Sequence, residues 1–267
     1  MKILMPARHG LGDVLHGYFI AEHGRTVLAK VKAGLETGQI TSAMVVYEDF
    51  YNPSVGDLFR ALPLDLIVAK TSELPEVKDQ DSDNRMPDSV KGHKNVFTRP
   101  PALFNGLDSS RRVACPTRAP RHDIPAKFVL FSDAAHARDR LLTDPEIYRH
   151  LRDNTGLPIV KVGRGHDAVP SDINLSNRLS IPETLFLAER ATIVVSALTM
   201  LRTFSALFGK PVIELAERAS TETVRRTRWE YKEGLYGMQP SLNSWYFWPA
   251  DRGAIGDTIR HHMGHGK

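Results

Sequence analysis

IPETLFLAERATIVVSALTMLRTFSALFGKPVIEL, residues 181–215, decides the fold class. Residues 181–190 read as a helix, 191–197 as a β-branched strand, 199–209 as a second helix and 211–215 as a second strand. Strands that alternate with helices pair in parallel through right-handed crossovers. Upstream, the same alternation gives a strand at 127–133 (KFVLFSD), a helix at 143–156 and a strand at 158–163. That helix has Thr143 as its cap, Pro145 in its first turn and Gly156 at its C-terminal end. Downstream lie a basic, helical stretch at 219–233 and a terminal helix at 251–263.

The first half repeats the theme. KILMPA (2–7) is a strand buried on both faces, SAMVVYE (42–48) a second and LDLIVAK (64–70) a third. Residues 13–37 are helical but carry Gly17 and Gly24, which fits one interrupted helix or two shorter ones. Residues 71–95 are polar and almost free of large apolar side chains, as in a mobile loop or insertion. The stretch 99–126, rich in proline and arginine, reads as an irregular crossing between domains. The expected fold class is α/β, with two Rossmann-like domains facing across a cleft. Residues 1–120 form the first domain, 121–245 the second, and 246–267 a tail crossing back to the first, with WYFW (245–248) as its hydrophobic anchor.

Bulk properties narrow the function. The chain has 267 residues, 42% hydrophobic and 25% charged, which is ordinary for a globular protein able to bury one large or two small cores. No stretch approaches a spanning helix and the N-terminus lacks a signal-peptide pattern. With Cys115 alone, an internal disulfide and a cysteine-based zinc site are both excluded, and a reducing, cytoplasmic setting is expected. A formal charge of +4 favours anionic partners only weakly.

The first candidate site is RHGLGDVLHG, residues 8–17, directly after the first strand. Gly10 and Gly12 form G-x-G-D rather than the dinucleotide pattern G-x-G-x-x-G, and fit a tight strand-to-helix turn as well as a ligand loop. Asp13 would repel a phosphate there. In the first helical turn it meets the helix dipole favourably, and an ionised carboxylate at the carboxyl edge of a parallel sheet also suits a general base. In the second half, Ser132 and Asp133 end a strand, with Arg138 and Arg140 following; the segment fits an anion grip or a charged surface loop. VGRGHD (162–167) places Gly163 and Arg164 after another strand, as a turn or as a ligand contact. RRTRWEYKEG (225–234) mixes basic residues and aromatics, as in nucleic-acid contact or as in a solvated helix whose Trp and Tyr pack inward. The tail HHMGHGK (261–267) lacks nearby carboxylates and is expected to be disordered rather than a metal site.

GDVLH after a short strand resembles the N-terminus of the heptosyltransferase-type glycosyltransferases, family 9 of the two-domain GT-B fold. VVYEDFYNPSVGDLFRALPLDLIVAK (45–70), VLFSDAAHARDRLLTDPEIYRHL (129–151) and LSIPETLFLAERATIVVSALTMLRTFSALFGKPVIEL (179–215) resemble further segments of that family in order and spacing. The resemblance implies an inverting, metal-independent transfer of a sugar from a nucleotide-sugar donor, a co-substrate rather than a cofactor, to an acceptor hydroxyl. Asp13 then corresponds to the general base, with His9, Gly10, Gly12 and His16 in the acceptor-side loop. Ser132, Asp133, Arg138, Arg140, Gly163, Arg164, Thr199 and Arg202 would face the donor. The family's D-[TS]-G-x-x-H motif is replaced here by Leu198, Thr199, Met200, Leu201, Arg202 and Thr203, leaving the hydroxyl residue alone. There Arg202 can supply a cation and the helix start its N–H groups, while 198–208 also fit a buried amphipathic helix. Expected acceptors are a saccharide, a lipid-linked sugar or, for a viral DNA-base glycosyltransferase, modified DNA. A non-catalytic nucleotide- or sugar-binding protein on the same fold is the alternative. The incomplete glycine fingerprint disfavours a nicotinamide oxidoreductase.

Overall fold

A computed structural model describes residues 1–7, 10–47, 54–73, 94–95, 113–134, 140–164, 167–197, 199–218, 220–232 and 239–264. The chain divides into two compact units, Met1–Pro116 and Thr117–Lys267, with the boundary inside the proline- and arginine-rich crossing.

In the first unit, strands β1 (Lys2–Ala7), β2 (Ser42–Tyr47), β3 (Leu66–Lys70) and β4 (Lys94–Asn95) pair in parallel in the order β3-β2-β1-β4. Ile3, Leu4 and Met5 are fully buried, the signature of a central parallel strand covered on both faces. The strand β4 falls at the end of the stretch expected to be loop. Its two residues pair with Ile3 and Leu4 through the backbone, so their polar side chains gave no strand signal.

The helical stretch after β1 is divided. Helix α1 (Leu11–Leu15) passes into a π-helical segment, His16–Ile20, and the chain extends at Ala21 (ψ 135°) before helix α2 (Glu22–Glu36). The break therefore lies at Ala21, not at a glycine. Gly24 instead lets two backbones touch: a Cβ on it would lie 1.5 Å from the Gly17 carbonyl oxygen. Gly24→Ala must separate the two segments, and an overpacking loss of about 1–3 kcal/mol is expected in urea unfolding. Gly17→Ala is the control, because its Cβ would enter open space and leave stability nearly unchanged. Helix α3 (Ser54–Arg60) follows β2.

The second unit contains β5 (Val129–Ser132), β6 (Ile159–Lys161), β7 (Ile173–Asn174), β8 (Ile193–Ala197), β9 (Val212–Ala216) and β10 (Asn243–Phe247). All pair in parallel, in the order β10-β9-β8-β5-β6-β7. This is the doubly wound Rossmann order, whose direction of winding reverses between β5 and β8. The helices are α4 (Glu146–Thr155), α5 (Ile181–Arg190), α6 (Phe204–Phe208) after a 3-10 turn at Met200–Thr203, α7 (Thr221–Lys232) and α8 (Arg252–His262). Val129, Phe131, Ile193, Val195, Ile213 and Leu215 from the strands meet Ile147, Leu151, Ile255 and Ile259 from the helices in one core.

Three expectations change here. Thr143 does not cap α4: its hydroxyl donates to Glu217 Oε2 (2.7 Å), while Asp144 Oδ1 accepts from Glu146 N (2.9 Å). The tail is held on the second unit. There β10 extends the sheet beside β9, and Trp248 is buried with its Nε1 donating to Asp144 Oδ2 (2.7 Å), because the apolar face of α8 fills the core beside α4. His261 and His262 close α8, inside the terminal helix expected at 251–263, so the expected disorder from residue 261 does not hold for these two.

The α4–α8 contact carries a pH dependence. His150 on α4 is buried against Trp248 (ring centroids 5.2 Å apart) and its Nδ1 accepts from Arg252 Nε (3.3 Å). Burial, reinforced by Arg252 and Arg260 and opposed by Asp153, holds its pKa below the ordinary histidine value. The folded state thus prefers the neutral ring. Its stabilising share is fully present above the unfolded value near 6.5 and is lost as pH falls through that value and then the folded one. The unfolding temperature should drop between pH 7 and pH 5, and His150→Gln should flatten that slope.

Candidate active site

In the first unit, β1 delivers the chain at the carboxyl edge of the sheet, beside the point where strand order reverses between β1 and β4. Gly10 is the N-cap of α1, and its carbonyl accepts from Val14 N (3.0 Å). Leu11, Val14 and Leu15 turn into the core, which leaves Asp13, in the first turn, exposed. Gly12 lies within α1, and His16 opens the π-helical segment one turn after Asp13. Burial lowers the His16 pKa, while the charge of Asp13 acts in the opposite direction. A neutral imidazole beside an exposed carboxylate is therefore the electrostatic character of this edge at neutral pH. His9 lies outside the described residues.

In the second unit, the predicted donor residues fall at the carboxyl ends of β5, β6 and β8, around the reversal of strand order. Ser132 and Gly163 are in close contact: Gly163 has φ +133°, and a Cβ there would lie 2.9 Å from Ser132 Oγ. The glycine is thus needed for packing between the ends of β5 and β6. Asp133 is fully buried, and its Oδ2 accepts from the N–H groups of Ala168 and Val169 (3.0 Å each) and from Lys161 Nζ (3.4 Å). These bonds commit one carboxylate oxygen to holding the 167–169 loop. Arg164 is exposed, and Arg140 is half-buried with its Nε lacking a hydrogen-bond partner among the described residues. Arg138 and Leu198 lie outside the described residues.

The turn at 199–203 is internally bonded. Thr199 N donates to Glu214 Oε1 (3.3 Å), and Leu201 N donates to Thr199 Oγ1 (3.2 Å). Two of the N–H groups expected to be open to a phosphate are therefore occupied. The carbonyl of Arg202 accepts from Asn243 Nδ2 (3.3 Å), leaving the half-buried Arg202 in a fixed turn. Tyr231 on α7 bonds inward to Glu214 (3.0 Å), but Trp229 is 54% exposed rather than packed inward.

Sequence reasoning missed Lys161 and Glu214, both buried at 1% exposure or less. The available signal was a single charge inside an apolar strand, in IVKVG and in VIELA.

No family model matches the chain, and no curated protein matches it. Solved structures do. The E. coli heptosyltransferase WaaC with ADP is 14% identical over 98% of this chain and 100% of its own, with a TM-score of 0.52. The glycosyl transferase family 9 protein from Veillonella parvula is 11% identical over 97% and 93%, also with a TM-score of 0.52. For the iron-containing dodecameric glycosyltransferase TibC from enterotoxigenic E. coli, identity is 14% and the TM-score 0.45, and this chain spans 59% of TibC's length. The fold is thus the parallel-sheet α/β fold of WaaC and of the Veillonella parvula protein.

Proposed function

We propose that the protein transfers a sugar from a nucleotide-sugar donor to an acceptor hydroxyl with inversion, Asp13 acting as general base. The observation that carries this reading is Asp13 itself: an exposed carboxylate in the first turn of α1, at the ligand-binding edge of a parallel sheet. Asp13 would take the proton of the acceptor hydroxyl as its oxygen attacks the anomeric carbon. The bond from that carbon to the diphosphate breaks, and the electron pair leaves with the nucleotide. On the donor side, Arg140, Arg164 and Arg202 are the cations that would meet the diphosphate, and Arg140 Nε lacks a hydrogen-bond partner among the described residues. The fold shared with glycosyltransferases, one of them solved with ADP, supports a nucleotide-sugar donor. The acceptor is a saccharide, a lipid-linked sugar or a modified DNA base.

A second reading, a binding protein without turnover, is favoured by the internal bonds of Thr199 N and Leu201 N, which withdraw donors from a phosphate. One experiment separates the two. The protein is incubated with UDP-, GDP-, ADP- and CMP-sugars, with saccharide and hydroxymethylated-DNA acceptors, and free nucleotide is measured. Nucleotide release that Asp13→Asn suppresses supports transfer, whereas donor binding without release across all acceptors supports the binder.

A further inference from the structure

Glu214 lies inside β9, fully buried between Ile213 and Leu215, opposite Ser196 of β8 and Trp245 of β10. An acid there is disfavoured unless its oxygens are bonded. Both are. Oε1 accepts from Thr199 N (3.3 Å) and Oε2 from the Tyr231 hydroxyl (3.0 Å), which also lies 3.1 Å from the Ser244 carbonyl. One carboxyl group therefore joins the turn after β8, helix α7 and strand β10. A second buried polar centre grips the same segment from the other end. Asn243 Oδ1 accepts from Ser205 Oγ (2.6 Å) and from Gln239 N (2.8 Å), while its Nδ2 reaches the Arg202 carbonyl. The 199–205 segment is thus fastened to two neighbouring strands by side chains rather than by apolar packing alone.

We propose that Glu214 is a positioning residue: by holding Thr199 N it sets the 199–203 turn, and with it the approach of Arg202 to an anionic ligand. The inference rests on reading this edge as the nucleotide-sugar site. A turn whose N–H groups are spent internally leaves anion recognition to side chains, whose placement depends on the anchor. Removing the anchor should therefore loosen the turn first, because Thr199 N and the Tyr231 hydroxyl lose the carboxylate they donate to, a loss centred on this turn.

The test compares Glu214→Leu with Glu214→Gln. In Glu214→Leu, amide hydrogen exchange in the 199–203 peptide should accelerate at least tenfold, and affinity for ADP or UDP should fall at least tenfold, while exchange in strands β5 and β6 changes far less. Glu214→Gln should restore both readouts, because its carbonyl can accept from Thr199 N while its amide donates to the Tyr231 oxygen. Unchanged exchange and affinity in Glu214→Leu would overturn the proposal. So would exchange that accelerates equally throughout the second unit, the pattern of a merely structural residue. If wild-type protein binds no nucleotide, the functional reading fails while the exchange result still decides the positioning role. Should Glu214→Leu not fold, Tyr231→Phe is read by the same exchange: acceleration confined to 199–203 supports the proposal, and none overturns it.

Discussion

On the proposed reading, Asp13→Asn should lower the rate of sugar transfer by about 10²–10⁴-fold, the range expected when a positioned general base is lost. Asparagine keeps the size and polarity of the side chain but cannot accept the acceptor's proton at neutral pH. The fold should tolerate the change, because Asp13 is exposed while Leu11, Val14 and Leu15 carry the packing of α1. The interaction with the helix dipole that is also lost is worth roughly 0.3–1 kcal/mol, too little to unfold the unit. Donor affinity should stay within a few-fold of wild type, since the cations proposed to meet the donor belong to the second unit. His16 does not substitute for the missing base in this prediction. Although its pKa is lowered, its ring is half-buried at the start of the π-helical segment. Initial rates of nucleotide release at saturating donor check the effect, and a rate undiminished in Asp13→Asn removes Asp13 from the reaction.

The alternation of strands and helices was legible because parallel strands buried on both faces read as unbroken apolar runs, as in ATIVVSA and PVIEL. The same rule hid β4, whose Lys94 and Asn95 contribute backbone bonds and no apolar side chain. It hid the role of β10 as well: NSWYF reads as an aromatic anchor, and only the free edge of β9 makes it a strand. Gly17 and Gly24 looked like helix breakers because a close backbone approach depends on which segments cross, and spacing alone does not give that. At the candidate site, Asp13 was readable from its place after β1. The bonds Thr199–Glu214, Lys161–Asp133 and Val169–Asp133 were not, because they span 15, 28 and 36 residues of sequence. Ser132, Asp133 and Gly163 were picked out as ligand contacts from strand-end position. In the fold those positions also have to join neighbouring strands, and for Asp133 and Gly163 the joining is what the geometry records.

Lys161→Met should destabilise the second unit by about 3–5 kcal/mol, the typical loss when one partner of a buried ion pair is removed. Lys161 is 1% exposed and Asp133 fully buried, so neither charge has water to fall back on. The ammonium group has three protons to donate, and three acceptors surround it: Asp133 Oδ2 at 3.4 Å, the Val169 carbonyl at 2.5 Å and Asp167 Oδ1. Methionine fills much of the same volume, so the loss is electrostatic rather than a cavity. It leaves the Asp133 carboxylate buried, with only the N–H groups of Ala168 and Val169 as donors among the described residues. Asp133→Leu should be comparably damaging, because it strands both of those N–H groups and takes one of three acceptors from the ammonium. The two losses share a cause, so Lys161→Met with Asp133→Leu should cost less than their sum. Urea unfolding of the single and double variants measures that coupling. Strict additivity would mean that Lys161 is held by Asp167 and Val169 alone, and that the buried carboxylate at the end of β5 serves only the 167–169 loop.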